Sequence, residues 1–258
     1  MTTVRRLAIL LCGYEILRKS DSTRGRGERF VFASPISAYL LELTSGYLLV
    51  DTGVNSAILR DPALLAAYYT GRNWTPPIVQ LAHELLPQLA QLGVNPQDIT
   101  DVFLTHMHMD HTGNLRQFQH ASIHVQRREH EYATTAGHAP AWFDIDYDLP
   151  ALRWALHDGD WTFAPGVQAL ATYGHTPGHQ SLLVTLPETG PVVLVGDVAD
   201  LAENFAEQVL PGDASDDQQA LASIRRINQI VDEHGAARFL CHDPAFVHSA
   251  RLAPEWYS

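Results

Sequence analysis

Cysteine is scarce in this chain, and long apolar runs are missing. Cys12 and Cys241 are the only cysteines, and each lies in an apolar run typical of a strand. Two cysteines do not make the disulfide framework of a secreted domain, so we expect buried free thiols and a cytoplasmic protein. The run at residues 7–12 is shorter than the roughly 7–15 residues of a signal-peptide core, and no run approaches the roughly 20 of a membrane span. We therefore expect a first strand there and no membrane partner.

Basic residues are also fewer than acidic ones. The chain has 17 Lys and Arg residues against 29 Asp and Glu residues, a formal net charge of -12 at pH 7. A surface of this sign repels a phosphate backbone, so we expect no nucleic-acid partner. No low-complexity stretch or Pro/Gly/Ser-rich linker divides the 258 residues, and candidate metal ligands are spread over both halves. We therefore predict a single domain over residues 1–258.

Histidine, in contrast, is abundant, with 14 residues. Four potential metal ligands fall within residues 106–111: His106, His108, Asp110 and His111. Imidazole nitrogen and carboxylate oxygen suit zinc and its first-row neighbours. The preceding residues 99–105 are β-branched and aromatic, which predicts a strand. Residues two apart on an extended segment project to the same side, so we expect His106 and His108 to bind one ion together.

Several short apolar runs end in a residue that suits a metal site, and helical patterns lie between them. The run ends are followed by Asp51, by His106, by His175 and His179, by Asp197, and by His242. Residues 77–92 and 216–234 carry apolar side chains at helical spacing, the second stretch with Ser215 as a possible cap and Gly235 at its end. Strands that alternate with helices predict an α/β layered domain whose strand ends meet at one rim.

Taken in order, these motifs resemble those of the metallo-β-lactamase superfamily. The motifs are His106-x-His108-x-Asp110-His111, Gly174-His175-Thr176-Pro177-Gly178-His179, Gly196-Asp197 and His242-Asp243, and they cover essentially the whole chain. The resemblance implies a four-layer αββα sandwich of two mixed β-sheets flanked by helices. It also implies two divalent metal ions, with Zn²⁺ expected.

The resemblance assigns the ligands residue by residue. One metal is expected on His106, His108 and His179, the second on Asp110, His111 and His242, with Asp197 bridging them. His175 matches a position that we expect to be structural. Asp51 matches a position that orients a ligand imidazole, although a turn-capping carboxylate is the alternative.

Within the superfamily, the longer-range similarity is to N-acyl-homoserine lactonases, which are quorum-quenching enzymes. This similarity rests on residues 37–41, 125–129 and 158–160. It rests above all on Gln180-Ser181-Leu182, which directly follow His179. The similarity implies a dinuclear-zinc lactonase in which a metal-bridging hydroxide attacks the ring carbonyl. Asp110 would then be a catalytic residue as well as a ligand, because it delivers a proton to the leaving oxygen.

One departure from the lactonase pattern leaves alternative functions open. Those lactonases generally carry Tyr three residues after the bridging Asp, and here that position is Asp200. Another hydrolase of the same fold, acting on a different lactone, a thioester or a phosphotriester, is the second hypothesis, and a redox enzyme or a binding protein is the third. In each case the partner is a small molecule. The aromatic residues of 68–77 fit either a pocket wall or a subunit contact, so a monomer and a homodimer are both consistent with the sequence.

Overall fold

A computed structural model describes residues 2–135 and 140–258, and two mixed β-sheets form its centre. The first sheet contains, in spatial order, β1 (Val4–Arg18), β2 (Val31–Leu43), β3 (Gly46–Val50), β4 (Ile99–Phe103), β5 (Ser122–Gln126) and β6 (Arg153–His157). The second contains β7 (Trp161–Ala164), β8 (Val167–Ala171), β9 (Gln180–Leu186), β10 (Gly190–Leu194) and β11 (Ala237–Phe239), in the order β11-β10-β9-β8-β7. Strands β3 to β6 run parallel, as do β10 and β11, whereas the other neighbours are antiparallel.

Ten α-helices lie outside the sheets. They are α1 (Lys19–Ser22), α2 (Ser56–Arg60), α3 (Pro62–Tyr68), α4 (Leu85–Gln91), α5 (Met109–Thr112), α6 (Arg127–Thr135), α7 (Asp144–Tyr147), α8 (Ala202–Glu207), α9 (Asp217–His234) and α10 (Pro244–Ser249) among the described residues. Short 3₁₀ turns occur at Thr70–Arg72, Leu81–His83, Pro96–Asp98, Leu115–Phe118 and Gly196–Val198.

Alternating side chains divide the apolar residues between layers. On β1, Leu7 and Ile9 face the second sheet, whereas Leu10 and Cys12 face the outer helices. Successive residues of a strand point to opposite faces, so one strand contributes to two cores. A third core packs α9 against the outside of the second sheet. The result is the predicted four-layer αββα sandwich, and each layer buries its apolar face against the next.

The strand ends deliver the candidate ligands to one rim, as the sequence predicts. Asp51 follows β3, His106 follows β4, and Asp197 follows β10. His242 lies three residues beyond the end of β11. Parallel neighbours such as β3 and β4 end at the same edge, so loops from distant parts of the sequence meet there.

The helix predicted over residues 77–92 is shorter in the structure. The carbonyl of Ile78 accepts from the backbone N–H of Tyr14 at 3.1 Å, and the N–H of Ile78 donates to the carbonyl of Tyr14 at 2.8 Å. Both backbone groups of Ile78 are therefore hydrogen-bonded at the edge of β1. A backbone held in this way does not supply helical hydrogen bonds. Only the part from Leu85 onward, α4, is an α-helix, and Ile78 and Leu81 are exposed.

The helix predicted over residues 216–234 is confirmed, with a different cap. Asp216, and not Ser215, caps α9, because its side chain accepts from the backbone N–H of Gln219. Ser215 instead donates to the carbonyl of Gly174 at 2.9 Å. Gly235 ends the helix at a φ of 62°, a conformation that glycine adopts without strain.

The two cysteines agree with the expectation of buried free thiols. Cys12 and Cys241 are both buried and both free. Within residues 2–135 and 140–258, no helix has the length and apolar content that a membrane crossing requires.

One buried acid lies between the outer helices and the rim. Asp146 is 3% exposed, and its Oδ1 accepts from the side-chain amide of Asn55 at 2.7 Å. Its Oδ2 has no hydrogen-bond partner among the described residues. Burial raises the pKa of Asp146 from 3.8 to about 7, with smaller opposing effects from Asn55 and Arg116.

We predict that Asp146→Asn stabilises the fold more at alkaline than at acidic pH. The folded-state pKa of Asp146 lies above its unfolded value, so wild-type stability falls as pH rises from about 4 to about 7. Asparagine does not ionise, so the variant does not lose stability over this pH range. Urea unfolding should show a gain that is larger near pH 8 than near pH 5 by about 2–3 kcal/mol. The exposed Asp148→Asn is the matched control, and an equal gain at both pH values for Asp146→Asn would contradict the interpretation.

Candidate dinuclear metal centre

Seven buried side chains gather at the rim in two groups of potential metal ligands. The first cluster consists of His106, His108, His175 and Asp197, and the second consists of Asp110, His111, Asp197 and His242. Within each cluster, one ligand atom from every member lies within 4.8 Å of all the others. Asp197 belongs to both, so the two clusters form a single centre.

The segment after β4 places four of these side chains. His106 and His108 lie between β4 and α5, and the backbone of His108 is extended, with a φ of -70° and a ψ of 159°. Residues two apart on such a segment face the same way, as predicted. Asp110 and His111 then fall in the first turn of α5 and face the second cluster. Met107 points in the opposite direction and is fully buried in the core.

The carboxylate of Asp197 lies between the two clusters. Its Oδ2 lies 3.6 Å from Nε2 of His106 and 3.5 Å from Nε2 of His175. Its Oδ1 lies 3.4 Å from Nε2 of His111, and Nε2 of His242 lies 3.2 Å from both oxygens. A carboxylate in this position suits a bridge between two cations, because its charge offsets their repulsion.

The structure places the two histidines of the turn differently from the prediction. His179, predicted as a ligand, has both ring nitrogens engaged: Nε2 accepts from the backbone N–H of Asp197 at 2.9 Å, and Nδ1 lies 2.9 Å from Oγ1 of Thr172. His175, predicted to be structural, instead has Nε2 3.1 Å from Nδ1 of His108. Of the two, only His175 reaches the first cluster, so we expect His175 and not His179 to be the ligand.

Gly196 explains why His179 lies so close to the loop that carries Asp197. A Cβ added to Gly196 would lie 2.5 Å from Nε2 of His179, and the glycine has a φ of 60°. Both the space and the backbone conformation therefore require glycine at this position. His179 is a positioning residue for the Asp197 loop.

Two ligand imidazoles are oriented by acceptors on their far side. Oδ2 of Asp51 lies 2.8 Å from Nδ1 of His111, and Oδ1 of Asp51 accepts from the backbone N–H of Thr105. Nδ1 of His242 lies 2.8 Å from the carbonyl oxygen of Pro35. These contacts fix the ring orientation and direct Nε2 toward the cluster. Asp51 thus orients the imidazole of His111, a candidate ligand, in agreement with the position that the resemblance implies.

Sequence reasoning missed a buried acid that links the two ligand loops. Glu129 is fully buried and accepts from the backbone N–H of Met107 at 3.0 Å and of Gly178 at 2.9 Å. One loop carries His106 and His108, and the other carries His175. Glu129 lies in the 125–129 segment that resembles the lactonases, but nothing in that segment alone indicates what it contacts.

The donor set fits two divalent ions. Nε2 of His106, His108 and His111 is buried without a hydrogen-bond partner among the described residues. Burial and neighbouring imidazoles lower the pKa of His106 and His108, the latter to about 3, so both rings are neutral and keep a lone pair. The distances of 3.2–3.6 Å around Asp197 match the ligand spacing of about 3.3 Å in a tetrahedral zinc site.

A cavity of about 990 Å³ opens above both clusters. Its wall includes Asp21, Trp74 and Trp142, which come from distant parts of the chain. Met109 also lines the cavity, whereas Tyr69 and Phe143 are buried behind it. Trp74 and Trp142 therefore form a pocket wall.

Two further carboxyls lie on the cavity wall. Burial raises the pKa of Asp200 to about 6, and burial together with Asp110 raises the pKa of Glu15 to about 8. Asp200 is the residue that stands where a tyrosine is typical, and Glu15, on β1, was not identified from the sequence.

The fold and the shared bridging carboxylate agree with a match to a family profile. The profile of the metallo-beta-lactamase superfamily matches residues 31–242, from the start of β2 to the last candidate ligand. The chain belongs to the metallo-beta-lactamase superfamily. The predicted family, fold class and enzyme class, a metal-dependent hydrolase most similar to lactonases, are thereby confirmed.

Relatives within the superfamily match over the full length. An N-acyl homoserine lactonase of a Bacillus species is 33% identical, covering 98% of this chain and 99% of its own. The N-acyl homoserine lactonase AttM of Azorhizobium caulinodans is 31% identical, covering 100% of both. A solved N-acyl homoserine lactone hydrolase with the product N-hexanoyl-L-homoserine at its catalytic metal centre is 30% identical with a TM-score of 0.89, covering 99% of this chain and 100% of its own.

Two variants distinguish the histidines of the turn. We expect His175→Ala to lower the metal content from about two ions to about one, because the first cluster loses a ligand. We expect His179→Gln to keep both ions, because glutamine retains a polar atom near Nε2 that accepts from Asp197. Mass-spectrometric metal analysis of both purified proteins is the measurement. Loss of an ion in His179→Gln with full retention in His175→Ala would reverse the assignment.

Proposed function

We propose that this protein is a dinuclear-zinc lactonase that opens the ring of N-acyl homoserine lactones or similar lactones. The observation that carries the proposal is the carboxylate of Asp197 shared between two buried ligand clusters at the floor of the cavity. The full-length similarity to N-acyl homoserine lactonases supports the same substrate class.

The chain offers each ion three ligands besides the shared one. His106, His108 and His175 would hold the first ion, and Asp110, His111 and His242 the second, with Asp197 between them. When bound, a zinc pair of this kind supplies Lewis acidity toward the ester carbonyl and lowers the pKa of a water toward about 7. The mixture of imidazole and carboxylate favours zinc over a hard cation such as magnesium.

Asp110 is the residue that we propose moves the proton. It lines the cavity while its Oδ2 stays 3.2 Å from Nε2 of His111 and 3.5 Å from Nε2 of His242. Burial raises the pKa of Asp110, but the two imidazoles lower it by more. The net pKa lies below the ordinary value, so the carboxylate is ionised at neutral pH. An ionised carboxylate accepts a proton from the attacking water and returns it to the leaving ring oxygen.

The cavity wall supplies binding surface for an acyl chain. Met109, Trp74 and Trp142 give it an apolar side next to the ligand clusters. The ring of Trp142 packs edge-on against His108, with centroids 4.3 Å apart. An acyl chain packed there would exclude water from the carbonyl that is attacked.

A panel of lactones tests the proposed function. Purified zinc-loaded protein should open N-acyl homoserine lactones of several chain lengths. The reaction is measured from the acid that ring opening releases. A chelator should abolish the reaction, and added zinc should restore it. No ring opening on any lactone would refute the proposal.

Asp200 favours a second candidate, a hydrolase of the same fold with a different ester substrate. An ionised acid in place of a phenol does not donate a hydrogen bond to a substrate carbonyl. The same panel should therefore include a thioester and an aryl phosphotriester. If either is hydrolysed at least about tenfold faster in kcat/KM than every lactone, this candidate replaces the first.

We predict that Asp110→Asn lowers kcat by about 10²–10⁴-fold, the usual contribution of a general acid–base group. The variant should keep at least the ion of the first cluster, since that cluster does not include Asp110. Steady-state kinetics and metal analysis on the same preparation separate the two effects. Full activity in Asp110→Asn would exclude the proton-transfer role.

A further inference from the structure

The four imidazoles that face Asp197 through Nε2 differ in what lies behind the ring. Three of them have a hydrogen-bond partner at Nδ1. These pairs are His106 with Oγ1 of Thr105, His111 with Oδ2 of Asp51 and His242 with the carbonyl of Pro35. Nδ1 of His175 is buried, and residues 2–135 and 140–258 provide no hydrogen bond to it. His175 is thus the member of this group whose ring is not yet held from behind.

Metal binding creates a need for an acceptor at Nδ1 of His175. A neutral imidazole carries one proton, and a ring that offers the lone pair of Nε2 to an ion keeps that proton on Nδ1. A buried N–H without an acceptor is unfavourable, because it has lost its hydrogen bond to water. A group that accepts from Nδ1 therefore favours the tautomer that binds metal.

Asp213 offers the acceptor. Its Oδ1 lies 3.5 Å from Nδ1 of His175, about 0.5 Å beyond a usual N–H···O bond. The side chain of Asp213 lines the cavity and is 60% exposed. A small rotation of this carboxylate therefore closes the gap without displacing a packed neighbour.

The backbone beside Asp213 is attached to the turn that carries His175. The N–H of Ser215 donates to the carbonyl of His175 at 3.1 Å. The carbonyl of Gly174 accepts from the N–H of Asp216 at 3.0 Å and from Oγ of Ser215 at 2.9 Å. These hydrogen bonds keep the backbone of Asp213 close to the imidazole, so the new bond requires the ordering of a single side chain.

We propose that Asp213 is a positioning residue for the first cluster, whose carboxylate accepts from Nδ1–H of His175 and directs Nε2 toward the ion. It would serve His175 as Asp51 serves His111. A carboxylate behind a ligand imidazole fixes the orientation of the ring and makes it a better electron donor. The inference rests on the metal centre of the proposed function and not on the identity of the ester.

Two substitutions at Asp213 test this role through metal affinity. Metal-free protein is titrated with Zn²⁺ in competition with a chromophoric chelator. Asp213→Ala should weaken one of the two ions about tenfold, the lower end of the usual effect of such a partner, because the carboxylate is exposed. Asp213→Asn should lie between Asp213→Ala and the wild type, because its amide oxygen still accepts from Nδ1. The single ion expected in His175→Ala identifies the affinity of the second cluster, which should be unchanged.

Asp217→Asn is the matched control. Asp217 is as exposed as Asp213, but its carboxylate is paired with Arg24 at 2.6 Å and does not face an imidazole. The variant removes the same charge from the next turn of chain. Both of its ions should bind as tightly as in the wild type. Thermal unfolding of all the metal-free variants shows whether any of them has lost the fold.

Proton NMR of the Co²⁺-loaded protein provides a measurement that a merely structural role would not change. Co²⁺ shifts the exchangeable ring N–H of each bound histidine outside the usual range. Asp213→Asn should move one of these signals and speed its exchange with water, because the N–H of His175 loses a charged acceptor. The remaining N–H signals should stay at their wild-type positions.

The outcomes separate this inference from the proposed function. Wild-type affinity for both ions in Asp213→Ala would refute the role of Asp213, as would an equal loss at both clusters. A wild type that binds no divalent ion would refute the metal centre and the inference together. If the wild type binds two ions and opens no lactone, the proposed function fails, whereas the affinities still decide the role of Asp213.

Discussion

The rim of this molecule is organised around one carboxylate that faces two groups of buried imidazoles. Asp197 lies between the two clusters, and the other candidate ligands except His108 lie 3.2–3.6 Å from it or from one another. Buried polar groups are stable only when they are paired. Several ligand atoms have no partner within the described chain, so the fold keeps them in place through contacts on their opposite sides. Asp51 and the carbonyl of Pro35 make two of these contacts.

Much of this arrangement could be predicted because it depends on local rules. The two-residue spacing after a strand predicts that His106 and His108 face the same way. The resemblance assigned Asp110 and His111 to one ion, and the structure places both in α5. Parallel strands that end at one edge also follow from the order of the elements, which is why Asp51 was found beside the ligands.

What could not be predicted depends on contacts across the fold. His175 and His179 belong to the same short motif and have the same chemistry, so spacing does not distinguish them. The distinction comes from the backbone N–H of Asp197, which occupies Nε2 of His179. Likewise, the pairing of Ile78 with the edge of β1, which shortens the predicted helix, is set by a strand more than sixty positions away. Glu15 became visible as a wall residue only once β1 was placed over the ligand clusters.

Glu129 has a consequence for how metal ions enter and leave. Its carboxylate bonds to backbone N–H groups on both ligand loops, at Met107 and at Gly178, and these bonds do not involve any ligand atom. The spacing between the loops is therefore maintained by the polypeptide itself. The contact between the two loops does not require a bound ion, so the scaffold would stay assembled if ions were lost or exchanged at the rim.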